Sequence, residues 1–348
     1  MKSKSFTLGQ SPRLVFLACA GDLRAQSWDQ PEVQLLLARE EDLAAIRLSD
    51  SGLEISATMP ATVHVPPGAS IVLESCAGDL HAAGIASVEL RKHRGDVSLH
   101  QTGNVELNQV HGDVLVHEAR SLQLAVMHGD LRVRGLAEGL TLRDLHGDVS
   151  LKHVGGTSTL QGITGDVVIR DPVGGVDARA VTGDLRLAGA VRAGETTIEV
   201  LGDISLCLDQ SSDVQIELEA SLGQVHSSTA LSESTRTAHR LEGKLGEGTA
   251  HLFARSNSGD IRLDWGPVHA GQRRDDSAAE LSRFEAGIEQ RSDEQAARAR
   301  RWRAHWPDAT RAEPEEPLED ERLAILKMLA DGRVSPDQAA ELLQAMEP

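Results

Sequence analysis

Gly-Asp followed by an aliphatic residue recurs along this chain at nearly constant spacing. The aspartates are Asp79, Asp96, Asp113, Asp130, Asp148, Asp166, Asp184 and Asp203, separated by 17, 17, 17, 18, 18, 18 and 19 residues. A fixed period of this length means stacked structural units. Three weaker matches extend the series. Gln224 follows at a step of 21, and Asp260 at 36, which reads as two units. Asp22 precedes Asp79 by 57, which reads as about three. The repeat is expected to span about residues 15–265.

Aligned copies share a longer pattern of apolar positions. One copy has Val105, Leu107, Val110, Gly112, Asp113, Val114 and Val116, and the next has Leu122, Leu124, Met127, Gly129, Asp130, Leu131 and Val133. Apolar residues alternate at a period of two, so each copy holds short strands with one buried face and no helix. One such unit cannot bury its face alone. Stacked copies can, at about 4.8 Å per coil. The predicted fold is mainly β: a single-stranded parallel β-solenoid (β-helix) of roughly a dozen coils of 17–18 residues over 1–268.

Composition narrows the function classes. Aromatic residues make up only 2% of the chain and Tyr is absent, which suits a narrow aliphatic core better than a pocketed enzyme. Lys and Arg number 35 against 53 Asp and Glu, a net charge of −18, so nucleic acid is not an expected partner. The cysteines, Cys19, Cys76 and Cys207, form no CxxC pair. They fit a reducing compartment and offer neither a disulfide framework nor a zinc site. The start, "MKSKSFTLGQSPRLVFLACA", mimics a signal peptide. However, Cys19 sits two residues before Gly21, a core position in every copy, so this stretch is expected to be a coil. A cytoplasmic location follows as the expectation.

The Gly-Asp corner has a structural and a chemical reading. Gly suits a backbone of positive φ or close approach between coils, and Asp can accept turn amides. Carboxylates stacked about 4.8 Å apart repel by about 1 kcal/mol in water, so something must offset them. His111, His128 and His146 precede Gly-Asp in three successive copies and should form a surface ladder beside Asp113, Asp130 and Asp148. That set is the candidate metal site, with Zn²⁺ or Ca²⁺ as the ions. The structural reading is preferred because the spacing belongs to the fold, and no cofactor is expected. No long insertion carries a paired acid and base, so no catalytic residue is assigned.

After Trp265 the β pattern stops. Residues 269–317 read as a charged helix and an acidic, Pro-containing linker. The helix ends in Arg298, Arg300, Arg301, Trp302, Arg303 and Trp306, which suit anionic lipid headgroups and peripheral membrane contact. Residues 318–348 read as a helical hairpin. Leu323, Leu326 and Leu329 line one helix. Ser335, Pro336 and Gln338 cap a second helix whose apolar face is Leu342, Leu343 and Met346. Two short helices cannot stand alone, so this face is the predicted surface for self-association or for another protein.

The segments "AGDLRAQSWDQPEV" and "VHVPPGASIVLESCAGDLHAAGI", with the Gly-Asp copies, resemble the bacterial β-strand-repeat family called "putative adhesin", over about residues 14–265. The tail "ERLAILKMLADGRVSPDQAAELLQAM" is similar to a SHOCT-like hairpin. The family has no established catalytic residues, and the resemblance implies a link to cell-envelope stress. The resulting expectation is a non-enzymatic scaffold or interaction protein. The alternatives are a surface or secreted adhesin binding glycan or protein, and a solenoid carbohydrate-active enzyme.

Overall fold

The computed structural model describes residues 2–37, 46–49, 52–57, 61–192, 194–228 and 230–265. All regular elements among them are strands, joined in one sheet system. Strand pairing is parallel and in register through the body. Val97 faces Val114, Val114 faces Leu131, Leu131 faces Val149, and Val149 faces Val167. Identical positions of successive copies thus lie above one another, as the repeat requires. The alternating apolar residues point inward: Val105, Leu107, Val110, Val114 and Val116 are all at most 2% exposed. Stacked on Leu122, Leu124, Met127, Leu131 and Val133, they form one continuous aliphatic core.

Between residues 87 and 208 the coils stack in chain order; at both ends the order is permuted. The 13–27 coil lies between 52–65 on one side and 70–83 on the other. At the opposite end the 250–265 coil lies between 195–208 and 214–227. Counting along the stack gives twelve coils among the described residues: 52–65, 13–27, 70–83, 87–100, 104–117, 121–136, 140–154, 158–170, 176–189, 195–208, 250–265 and 214–227.

This order corrects two readings of the sequence. The 57-residue gap before Asp79 does not hold three Gly-Asp coils, because Asp22 adjoins Asp79 directly. Nor does the gap of 36 hold two successive units, because Asp260 sits between Asp203 and Gln224. Between Asp22 and Asp79 the chain makes the outermost 52–65 coil and its cover, and between Asp203 and Asp260 it makes the outermost 214–227 coil and its cover. The cover is antiparallel. Glu32–Leu37 pairs with Ala61–Val65, and Ile46–Ser49 with Gly52–Ala57. Arg240–Leu245 pairs with Val214–Ala220, and Ser232–Arg236 pairs in turn with Arg240–Leu245. Strands of reversed direction end the parallel template and occupy hydrogen-bonding edges that would otherwise invite another chain.

A second corner follows each Gly-Asp strand. Gln101, Glu118, His153 and Asp171 adopt φ of +50°, +59°, +55° and +48° there. Gly84, Gly135 and Gly189 hold the same place in other copies, with φ of +70°, +77° and +126°, so the corner shows in the sequence only as an intermittent glycine.

Candidate functional site

The Gly-Asp corner is built by contact between coils. Gly112 has φ +145°, and a Cβ there would meet the Gly95 carbonyl oxygen at 2.1 Å. Gly129 repeats this against Gly112 at 2.3 Å. A side chain at either position is excluded by both space and conformation.

The aspartates form a chain of hydrogen bonds. The backbone N–H of each donates to Oδ1 of the Asp in the preceding coil of the stack. The series runs Asp22, Asp79, Asp96, Asp113, Asp130, Asp148, Asp166, Asp184, Asp203, Asp260 and finally Gln224, at 2.8–3.0 Å. An amide dipole therefore sits against every carboxylate, which offsets the repulsion between neighbours. Gln224 stands where no further coil follows on this ladder. Nothing there needs a carboxylate acceptor, which accounts for the one break in the series.

Rows of side chains flank this ladder. On one side, His111, His128 and His146 stack with ring centroids 4.9 Å apart. Their neighbours in the row are Arg94 and Thr164. On the other side lies a row that the sequence reading missed. His100 and His117 stack at 4.9 Å and 8°, and Arg134, Lys152 and Arg170 continue their column. The signal was present, since each lies four residues after a ladder Asp. Asp113, Asp130 and Asp148, predicted as metal ligands, each accept a backbone amide. Among the described residues no group of three or more His, Cys, Asp and Glu is placed to hold a metal ion. The arrangement is a corner ruled into parallel lines of imidazole, carboxylate and cation.

A further cluster lies inside. The core position two residues before Gly-Asp is Cys19, Cys76 and His93 in three adjacent coils. All are buried, at 4%, 3% and 1% exposure. Both His93 ring nitrogens lack a hydrogen-bond partner. Burial lowers its pKa and holds the ring neutral. The sequence could not show the two thiols as neighbours, because 57 residues separate them.

The predicted partner surface (Leu323, Leu326, Leu329, Leu342, Leu343 and Met346) lies outside the described residues, as does the Arg/Trp segment (Arg298, Arg300, Arg301, Trp302, Arg303 and Trp306).

The model of the Toastrack DUF4097 family matches residues 48–264, more than half of the chain. The chain belongs to this Toastrack family. A SHOCT-like domain model matches residues 320–348, in line with the resemblance of the tail. A crystal structure named a "putative cell adhesion protein" from Clostridium sporogenes aligns over 76% of this chain and 99% of its own. Identity is 10% and the TM-score 0.21, too low to carry an argument. No curated protein matches. The Toastrack family is one of unknown function, so chemistry must come from the ruled surface and the tail.

Proposed function

We propose that this Toastrack protein is a non-enzymatic interaction scaffold, its coil stack serving as a platform and its SHOCT-like tail as the means of assembly. One observation carries the reading: the outward side chains form in-register rows whose carboxylates are bonded to the coil backbone. Such a surface suits contact with an extended partner more than conversion of a small substrate. The tail would bring two copies together, or one copy and another protein, through Leu323, Leu326, Leu329, Leu342, Leu343 and Met346. At about 25 cal/mol per Å² of apolar area, even a few hundred Å² of leftover surface favours reversible pairing. A cytoplasmic location belongs to the same proposal.

Analytical ultracentrifugation tests it. The full chain at micromolar concentration is expected to sediment as a dimer or larger species. A chain lacking residues 318–348 should sediment as a monomer with an unchanged far-UV spectrum. If both chains sediment alike as monomers, the self-association reading fails.

A further inference from the structure

The buried thiols in the permuted end of the stack are paired across it. Cys19 lies in Arg13–Ala20 and Cys76 in Cys76–Ala77, parallel strands in which these two residues are direct partners. Neighbouring strands are about 4.8 Å apart, within the Cα separation of about 4.4–6.8 Å that a disulfide requires. Both cysteines are free and point into the core. Cys19 Sγ donates to the Gly21 carbonyl at 3.5 Å, and the Cys76 thiol lies against Cys19 as its partner in the neighbouring coil. Neither cysteine resembles Cys207, which lies seven coils further along the stack from Cys76 and is only partly buried.

We infer that Cys19 and Cys76 close into a reversible disulfide, a covalent clasp between the interleaved 13–27 coil and the 70–83 coil. The co-reactant is a low-molecular-weight disulfide of the glutathione class. Either thiol can attack first, since the two are direct strand partners in one buried environment, and the exchange runs alike from either side. Starting from Cys19, the thiolate attacks one sulfur of the small disulfide, whose S–S bond breaks, and one small thiolate leaves. Cys76 then attacks Cys19 Sγ in the mixed disulfide. The second small thiolate leaves and takes up the proton Cys76 has lost. Two protein thiols and one small disulfide thus become one protein disulfide and two small thiols. Entry requires local opening of the end coils, the least stable part of a stacked fold.

The clasp has a topological effect that a bond between consecutive coils would lack. It closes a loop of chain containing the outermost 52–65 coil and its antiparallel cover, so oxidation pins the whole permuted end.

The test uses the full chain carrying Cys207→Ser, incubated natively in oxidised or reduced glutathione buffers. Oxidation should remove both remaining thiols, lower the mass by two hydrogens, yield a linked Cys19–Cys76 peptide within one chain and raise Tm. Dithiothreitol should reverse all four. With Cys76→Ala added, Cys19 should retain one glutathione. With Cys19→Ala instead, Cys76 should likewise stop at the mixed disulfide with one glutathione. The inference is overturned if both thiols survive, if glutathione stays on either cysteine of the pair without closure, or if the link joins two chains. Refolding in the same buffers guards against inaccessible native thiols. A closed fraction no higher there than for the Cys76–Cys207 pair in a Cys19→Ala chain that keeps Cys207 would equally sink it.

Discussion

The middle of the stack and its two ends solve the same problem differently. Between residues 87 and 189 every coil rests on its predecessor in the chain, and the Gly-Asp step hardly changes. At the ends an outer coil and an inner coil exchange places, and antiparallel strands cover the outside. Repetition is sufficient where each coil has neighbours above and below. Where the stack stops, the final parallel edge must be covered, and chain order yields to that need.

Substitution of core residues tests this difference most severely. Val149→Asp should cost about 3–5 kcal/mol, because it buries an unpaired charge between two coils. The same change at Val225, in the outermost coil, should cost less, since that strand has a parallel partner on one side only. Equal losses in urea unfolding would show that the ends and the middle form one cooperative unit.

Glycine replacements come next in size. Gly129→Ala should cost about 2–3 kcal/mol, because the new Cβ meets a carbonyl oxygen at 2.3 Å with φ at +139°. Gly9→Ala, also of positive φ but with nothing within 4 Å, should cost only about 1 kcal/mol. A cost at Gly129 no greater than at Gly9 would mean that coil contact is not what selects glycine in the ladder.

The Asp ladder should respond to loss of the acceptor more than to loss of charge. Asp130→Ala deprives the Asp148 amide of its partner and should cost about 1–2 kcal/mol. Asp130→Asn keeps an accepting oxygen and should cost a few tenths of a kcal/mol. Gln224→Ala, at the end, should be close to neutral. Chelators should leave Tm unchanged, and a marked fall would point to bound cations instead.

His93 should give a modest effect of the opposite sign. His93→Val removes two unpartnered nitrogens from the core and should stabilise by about 1 kcal/mol at neutral pH. The folded pKa lies below the ordinary 6.5, so below that pH the unfolded chain binds a proton the native chain refuses. Stability therefore falls as pH drops from 6.5 toward the folded value, and His93→Val should flatten that slope. His64, also lowered by burial, will leave a residue of it. An unchanged slope between about pH 7.5 and pH 5.5 would show that His93 is not responsible.

The same division decides what the sequence disclosed. Val105, Leu107, Val110, Val114 and Val116 alternate visibly, and the Gly-Asp period gave their stacking and their inward register. Cys19 was placed correctly as a core residue by that rule. Its neighbour could not be found, because pairing across the permuted end depends on which strand covers the outer edge, and no local pattern encodes that. The carboxylate ladder was legible as a row, and its amide partners were among the physical options. The His100–His117 row was less legible because its column changes residue type after two copies, to Arg134, Lys152 and Arg170.

Chain order at the ends also has a mechanical consequence. In a sequential stack, a pull on either terminus peels the last coil like a zipper, one ladder bond at a time. Here the strand Arg13–Ala20 is gripped by parallel strands on both flanks, and so is Ile261–Trp265 at the other end. Tension arriving through the chain beyond Trp265 meets one ladder at Asp264 and Trp265 and two ladders over Ile261, Arg262 and Leu263. The tail thus leaves the stack from an inner coil, and the outermost coil is not the one that a pull on the tail reaches first.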